Sequence, residues 1–212
     1  MQNDLFSPIA PEIEELRPGV FLFRSHVNVE EFMKVVTSTA EKIPFRQMIT
    51  PGGKKINVSV TSMGENGWYS DRRGYRYERI DPVTGNEWPK MPKDIETIIS
   101  NAAKKAGFEN FFPDSCLINC YKPGVGLTAH VDKDEIDFSQ PIVSVSLGVS
   151  AVFQIFGENR NGKVMNIPLH SGDLLIFGGP ARKFYHGVRK IKVQSHPLTG
   201  NLRFNLTFRR AL

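Results

Sequence analysis

Arg203-Phe204-Asn205-Leu206-Thr207-Phe208-Arg209 alternates at every position, with Phe204, Leu206 and Phe208 on one face of a strand and Arg203, Asn205, Thr207 and Arg209 on the other. The polar face presents two guanidiniums and an amide inside what reads as a buried sheet. The arginine backbones stand about 20 Å apart along the strand. Two long side chains reaching inward close that gap to the length of a small dicarboxylate, and guanidinium is the preferred bidentate partner of a carboxylate. On the strand alone, without His130 and Asp132, an exposed edge with solvated arginines is the preferred reading.

Upstream the same texture continues. From Asp114 onward, short alternating runs (116–121, 142–147, 151–156, 164–169, 173–177, 203–208) are separated by Gly, Pro, Asn and Asp turns. That pattern predicts an antiparallel sandwich or jelly roll over residues 114–212. Residues 1–113 read as an N-terminal extension. Val20 to Arg24 forms a short strand. Asn28 caps a helix with Glu31 in capping-box position, and the helix runs through Phe32, Val35, Val36 and Ala40 to stop before Pro44. Thr50-Pro51-Gly52-Gly53 marks a turn. Strands are expected over 56–62 and 74–79, with a polar, aromatic loop holding Trp68 between them, and a loop from Asp81-Pro82 to Pro92. A second helix places Ile95, Ile98, Ile99, Ala102 and Ala106 on one face and stops at Gly107. The expected whole is one compact, mainly β unit with flanking helices: a double-stranded β-helix preceded by two helices and a recognition lid.

Bulk properties bound the function without choosing it. The chain has 212 residues, 40% hydrophobic and 23% charged, an ordinary soluble composition. A net charge of +5 and a pI near 9.2 suit an acidic partner such as nucleic acid, and equally a mildly basic cytosolic protein. Cys116 and Cys120 share a strand face roughly 13 Å apart, too far for a disulfide. With no Cys-x-x-Cys pair, zinc fingers are excluded. Met1 to Gly19 is acidic rather than basic-then-apolar, so no signal peptide is expected. The longest apolar stretch, residues 142–157, is broken by serines and reads as strands rather than a membrane span. A cytoplasmic monomer is the expectation.

The chemistry-bearing residues fall on or near these strands. His130 and Asp132 are two apart, so in a strand they lean to one side about 6.5 Å from each other. With His186 from a distant strand they make two imidazoles and a carboxylate, the ligand set of the facial triad that holds non-haem Fe(II) with open positions. Asn119 and Tyr121 put an amide and a phenol on one face just upstream. For each there is a plainer reading: a surface His-x-Asp, and a satisfied polar pair in the core. Of the other histidines, His170 and His196 read as turn or surface residues and His26 receives no ligand role. Asp173 reads as structural.

Taken in order, Asn119-x-Tyr121, His130-x-Asp132, His186 and Arg203-x-Asn205-x-x-x-Arg209 resemble the AlkB family of Fe(II)/2-oxoglutarate dioxygenases. So do Pro44-Phe45-Arg46-Gln47-Met48, Thr50-Pro51-Gly52-Gly53, Ile80-Asp81-Pro82 and residues 141–148, so the likeness covers nearly the whole chain. The resemblance implies Fe(II) on His130, Asp132 and His186. It implies 2-oxoglutarate paired at its distal carboxylate with Arg203, helped by Tyr121, with Asn119, Asn205 and Arg209 completing the pocket, and O2 at the remaining iron position. It implies oxidation of an N-methyl group on a base of the 1-methyladenine or 3-methylcytosine type, with release of succinate, CO2 and formaldehyde.

The substrate would be alkylated DNA, single-stranded or with the base flipped from a duplex, and RNA as a further candidate. Such bases are cationic and pair poorly, so they leave the stack cheaply. Trp68, Tyr75, Asp134 and Arg160 would contact the substrate, with Arg76 and Tyr77 beside them. Without the resemblance, Trp68 and Tyr75 read as packing residues and Asp134 as part of a solvated acidic loop. Lys54, Lys55, Arg72, Arg73 and Arg76 are candidate phosphate contacts or simply a solvated face. The likeness breaks at Lys54, where the family pattern has an aromatic, and this bears on lid contacts and substrate preference. Three rivals remain on the sequence: a 2-oxoglutarate oxygenase acting on protein or a small molecule, a non-catalytic nucleic-acid-binding module, and a zinc hydrolase, which leaves Arg203 and Arg209 without a role.

Overall fold

The computed structural model describes residues 13–212, so the acidic residues Asp4 and Glu12 lie outside the described residues. In chain order the elements are β1 (Glu14–Arg17), β2 (Val20–Phe23), α1 (Val29–Lys42), β3 (Arg46–Ile49), β4 (Lys55–Gly64), β5 (Gly67–Asp71), β6 (Gly74–Glu78) and α2 (Lys93–Lys105). They continue with β7 (Ser115–Tyr121), β8 (Leu127–His130), β9 (Ile142–Gly148), β10 (Ala151–Gly157), β11 (Met165–Leu169), β12 (Leu174–Phe177), β13 (Tyr185–Val188) and β14 (Arg203–Arg209). Eight strands form a large antiparallel sheet in the order β1-β2-β12-β9-β14-β7-β4-β3. A second sheet, β11-β10-β13-β8, faces it, and β5 and β6 pair with each other alone.

Both faces of the large sheet are covered, which explains why all seven residues of β14 are buried despite their alternation. Phe204, Leu206 and Phe208 pack with Phe32 and Val36 of α1 and Ile95, Ile99, Ala102 and Ala103 of α2. Those helical positions recur at three- and four-residue steps, the spacing that gives each helix one apolar stripe. The opposite face meets the small sheet, where Leu117, Leu175 and Phe177 pack with Phe153, Ile155 and Val188. The polar side of β14 therefore points between the two sheets of a jelly roll rather than into solvent. Strands on both sides of residues 113–114 join the same large sheet, since β4 pairs with β7 in register from Ser59↔Cys120 to Gly64↔Ser115.

Local signals act as their chemistry requires. Asn28 Oδ1 accepts hydrogen bonds from the backbone N–H groups of Glu30 and Glu31, and Gly107 takes a left-handed φ of 89° after α2. Gly53 N–H closes the Thr50 turn. Cys116 and Cys120 are free thiols. No helix among the described residues is long and apolar enough to cross a membrane.

One expectation needs correction: Trp68 is not in a loop. It lies in β5, paired with Tyr77 across a two-stranded ribbon. Strands β1, β3, β8 and β13 also go beyond the runs read from alternation. Each has four residues.

Candidate active site

Strands β8 and β13 bring the two histidines together, with His130 and His186 as direct cross-strand partners. Close approach of these strands depends on glycine. A Cβ on Gly187 would stand 2.7 Å from the Leu127 carbonyl oxygen, and one on Gly126 would stand 2.7 Å from that of Val188. The ring centroids of His130 and His186 are 4.4 Å apart. Asp132 follows two residues after His130, and its Oδ1 lies 3.5 Å from His130 Nε2 and 3.8 Å from His186 Nε2. One ligand atom from each of the three residues falls within 4.8 Å of the others.

The surroundings orient all three groups. His130 Nδ1 is 2.9 Å from the Thr128 carbonyl oxygen, and His186 Nδ1 is 3.0 Å from that of Phe184. A carbonyl only accepts, so each Nδ1 carries a proton and each Nε2 faces Asp132, the orientation metal-ligating imidazoles adopt. Asp132 Oδ2 takes Arg209 Nη2 at 2.6 Å and Nε at 3.2 Å, which leaves Oδ1 facing the histidines. Burial alone would raise the Asp132 carboxyl, but Arg209, with the two imidazoles beside it, holds it far below the usual carboxylate range. Burial and the neighbouring His130 push His186 down to about 4, keeping it neutral. Two imidazole nitrogens and a carboxylate oxygen gathered on one side fit a divalent metal.

The polar face of β14 lies across the same interior. Arg203 is opposite Tyr121, and Asn205 is opposite Asn119. Arg203 is 1% exposed, its guanidinium carbon is 5.2 Å from the centre of the Tyr121 ring, and Nη2 donates to Ser146 Oγ at 3.0 Å. Its Nε and Nη1 are buried without a hydrogen-bond partner, as is Nη1 of Arg209. An uncompensated buried guanidinium is costly, and burial lowers the Arg203 pKa. Its two open donors fit a carboxylate entering the jelly roll, and this chemistry, together with the triad, suits a 2-oxo dicarboxylate. Asn205 differs from the sequence expectation in detail. Its amide donates to Ser144 Oγ at 2.7 Å and the Val145 carbonyl oxygen at 3.0 Å and accepts from Thr207, so it braces the pocket wall.

Above the triad stands the β5–β6 ribbon. Trp68, Tyr75 and Tyr77 share one face, and Trp68 and Tyr75 stack at 5.7 Å with 16° between their planes. Trp68 Nε1 donates to Asp134 Oδ2 at 2.9 Å, and the Tyr77 hydroxyl donates to Glu135 Oε1 at 2.6 Å. Asp134 has no ion-pair partner among the described residues, and burial raises its carboxyl. Arg76 stands on the other face, where Asp71 and Glu78 hold it beside Tyr69. Arg160 is exposed, its guanidinium 5.5 Å over the Tyr185 ring next to His186. Lys54, Lys55, Arg72 and Arg73 are all exposed, and the Thr50 turn lies against Arg72. Sequence reasoning missed Glu135 and Arg182, buried charges without periodic signature. They form a 2.9 Å ion pair with both side chains buried.

A jelly roll with two histidines, one aspartate and a buried arginine defines the class of iron- and 2-oxo-acid-dependent oxygenases. The family model for the 2OG-Fe(II) oxygenase superfamily matches residues 19–209. The chain is 45% identical over 210 residues to the alpha-ketoglutarate-dependent dioxygenase AlkB of Salmonella typhimurium, covering 98% of this chain and 97% of that one. The AlkB dioxygenase of Escherichia coli is 44% identical over the same shares. A solved structure of OsALKBH1 superposes with a TM-score of 0.79 at 28% identity, covering 93% of this chain and 99% of that one. The chain belongs to the 2OG-Fe(II) oxygenase superfamily and, within it, to the AlkB dioxygenases. It is an enzyme that uses Fe(II), 2-oxoglutarate and O2.

Proposed function

We propose that this enzyme removes N-alkyl groups, of the 1-methyladenine and 3-methylcytosine type, from DNA and also from RNA. In this reading His130, Asp132 and His186 hold the iron, and Arg203 with Tyr121 receives the distal carboxylate of 2-oxoglutarate. Asn119 lines the wall opposite Asn205, and Arg209 keeps Asp132 ionised and aimed. Bound together, iron, 2-oxoglutarate and O2 supply the oxidation of an N-methyl group, with succinate, CO2 and formaldehyde as products. The chain's own residues bind and orient. Trp68 and Tyr75 offer aromatic surface to a flipped base, worth about 1–3 kcal/mol per stacked base. Tyr77 anchors the ribbon to Glu135, and Arg160 and the exposed lysines and arginines meet phosphates. Arg76, tied to Asp71 and Glu78 on the far face, supports the ribbon from behind.

The observation that carries the substrate class is Asp134. It is a half-buried carboxylate without a cationic partner among the described residues, held by Trp68 two residues from Asp132. A cationic methylated base supplies the missing charge. Relatives support nucleic acid as the target. An Arabidopsis thaliana protein named DNA N(6)-methyladenine demethylase ALKBH1C is 31% identical over 92% of this chain and 49% of its own length. A Schizosaccharomyces pombe protein named tRNA demethylase abh1 is 37% identical over 53% of this chain and 39% of its own. The test is turnover with Fe(II), 2-oxoglutarate and ascorbate on methylated single-stranded DNA, duplex DNA and RNA, beside protein and small-molecule candidates. Repair of the methylated bases is expected, and turnover confined to a protein or small molecule would replace this reading.

A further inference from the structure

We infer that Arg182 is a positioning residue that keeps Arg209 committed to Asp132, and so sets the affinity of the triad for its metal. The inference rests on His130, Asp132 and His186 being the metal ligands.

Arg182 is 2% exposed and spends each guanidinium nitrogen on the segment that follows the His-x-Asp motif. Nη1 donates to the backbone carbonyl of Asp132, Nη2 to Glu135 Oε2 and Nε to the carbonyl of Gln140, each at 2.9 Å. One side chain thus holds that segment at its start, middle and end. Its own backbone follows the 3-10 turn Gly179–Ala181, and its N–H donates to the Gly179 carbonyl oxygen. The same turn places Phe184, whose carbonyl sets the His186 tautomer. Arg182 therefore joins the piece of chain that carries Asp132 to the piece that carries His186.

The charges give the joint a second role. Two carboxylates, Asp132 and Glu135, lie within reach of one guanidinium: Arg209 Nε is 3.2 Å from Asp132 Oδ2 and 3.2 Å from Glu135 Oε1. They compete for it. Arg182 neutralises Glu135 from the other side, so Arg209 can close on Asp132 at 2.6 Å through Nη2. Two buried anions are then matched by two buried cations before any metal enters. Without Arg182, Glu135 is a buried carboxylate short of a counter-ion and draws Arg209 away from Asp132. The carboxylate that must present Oδ1 to the metal loses both its orientation and its partner. Glu135 also accepts the Tyr77 hydroxyl, so the β5–β6 ribbon is tied to the same junction.

The test is Mn(II) titration of the metal-free full-length protein, followed by the EPR signal of free Mn(II). The variants are Arg182→Met and the double variant Arg182→Met/Glu135→Gln, with His130→Ala as the control. Arg182→Met is expected to weaken Mn(II) binding by about 10- to 100-fold, the usual cost of removing a group that orients a metal ligand. Removing the stranded charge with Glu135→Gln is expected to restore most of that loss. A purely structural arginine gives no such rescue, because the double variant loses the same three-point hold. Circular dichroism checks folding, and if Arg182→Met does not fold, the neutral polar variant Arg182→Gln is titrated with and without Glu135→Gln on the same expectation. Unchanged Mn(II) affinity on loss of Arg182, or no rescue by Glu135→Gln, overturns the inference while the metal site stands. Failure of the unmodified protein to bind Mn(II), or binding undiminished in His130→Ala, overturns the metal reading itself.

Discussion

Arg203 and Trp68 stand on two surfaces that meet near the triad, and the protein holds them by different means. Arg203 belongs to a strand paired on both sides, with β7 and β9, inside a sheet covered on both faces. Trp68 belongs to a ribbon whose strands pair only with each other. Side chains fasten that ribbon: Ser70 to the Ile49 carbonyl at 2.6 Å, Trp88 to the Glu78 carbonyl at 2.7 Å, Trp68 to Asp134 and Tyr77 to Glu135. The difference separates two tasks. The co-substrate is one molecule of fixed shape and suits a rigid, pre-formed cradle. A base arriving on a polymer suits aromatic surfaces held by separate side-chain attachments that can yield one by one.

Breaking the rigid half should silence everything. His130→Ala or Asp132→Ala is expected to abolish turnover, seen as loss of both succinate and formaldehyde while circular dichroism stays native. Arg203→Met is the next largest effect. Losing charge-assisted hydrogen bonds worth about 3 kcal/mol should raise the KM for 2-oxoglutarate on the order of 100-fold. The same substitution should leave the free protein as stable as before or more so, because it removes a buried charge with two unpartnered nitrogens. A clear loss of thermal stability would show that Arg203 is structural instead.

Breaking the ribbon should be selective. Trp68→Ala is expected to raise the KM for a methylated oligonucleotide by about tenfold, from the loss of base stacking. The KM for 2-oxoglutarate should stay unchanged. Equal effects on both constants would erase the distinction between the halves.

The smallest effect concerns pH. His186 has its folded-state pKa depressed to about 4 from 6.5, so the metal-free fold favours the neutral ring. Its contribution is fully present above the unfolded value and is lost as pH falls from there toward 4. About 2 kcal/mol of metal-free stability should disappear between pH 6.5 and 5. Chemical denaturation should register this, and His186→Asn should flatten the profile.

The rigid half was also the legible half. Alternation assigned each residue of β14 to its face because both faces are buried and each selects its own chemistry. The jelly roll and both helices follow from the same kind of signal, whereas the strand reading of His-x-Asp holds only as far as His130, because β8 ends there and Asp132 lies in the loop that follows. Only half of the ribbon was legible: the strand read over 74–79 is β6, but in Gly67-Trp68-Tyr69-Ser70-Asp71 aromatic and polar groups occupy both faces and no apolar period survives. Arg76 was grouped with Trp68 and Tyr75 by family resemblance, although pairing puts it on the far side of the ribbon. Periodicity put Asn205 on the inward face but carried no information about its hydrogen bonds to Ser144 and Val145. Arg182 and Glu135 lie in turn and loop, where a buried charge has no spacing to announce it.

The central claim is that the iron and 2-oxoglutarate machinery of the inner face acts on a methylated base presented beneath Trp68. Succinate and formaldehyde measured together on a 3-methylcytosine oligonucleotide test it most directly. The account predicts one formaldehyde for each succinate, with cytosine restored. Succinate released at the same rate with and without the methyl group, and no formaldehyde, would contradict it.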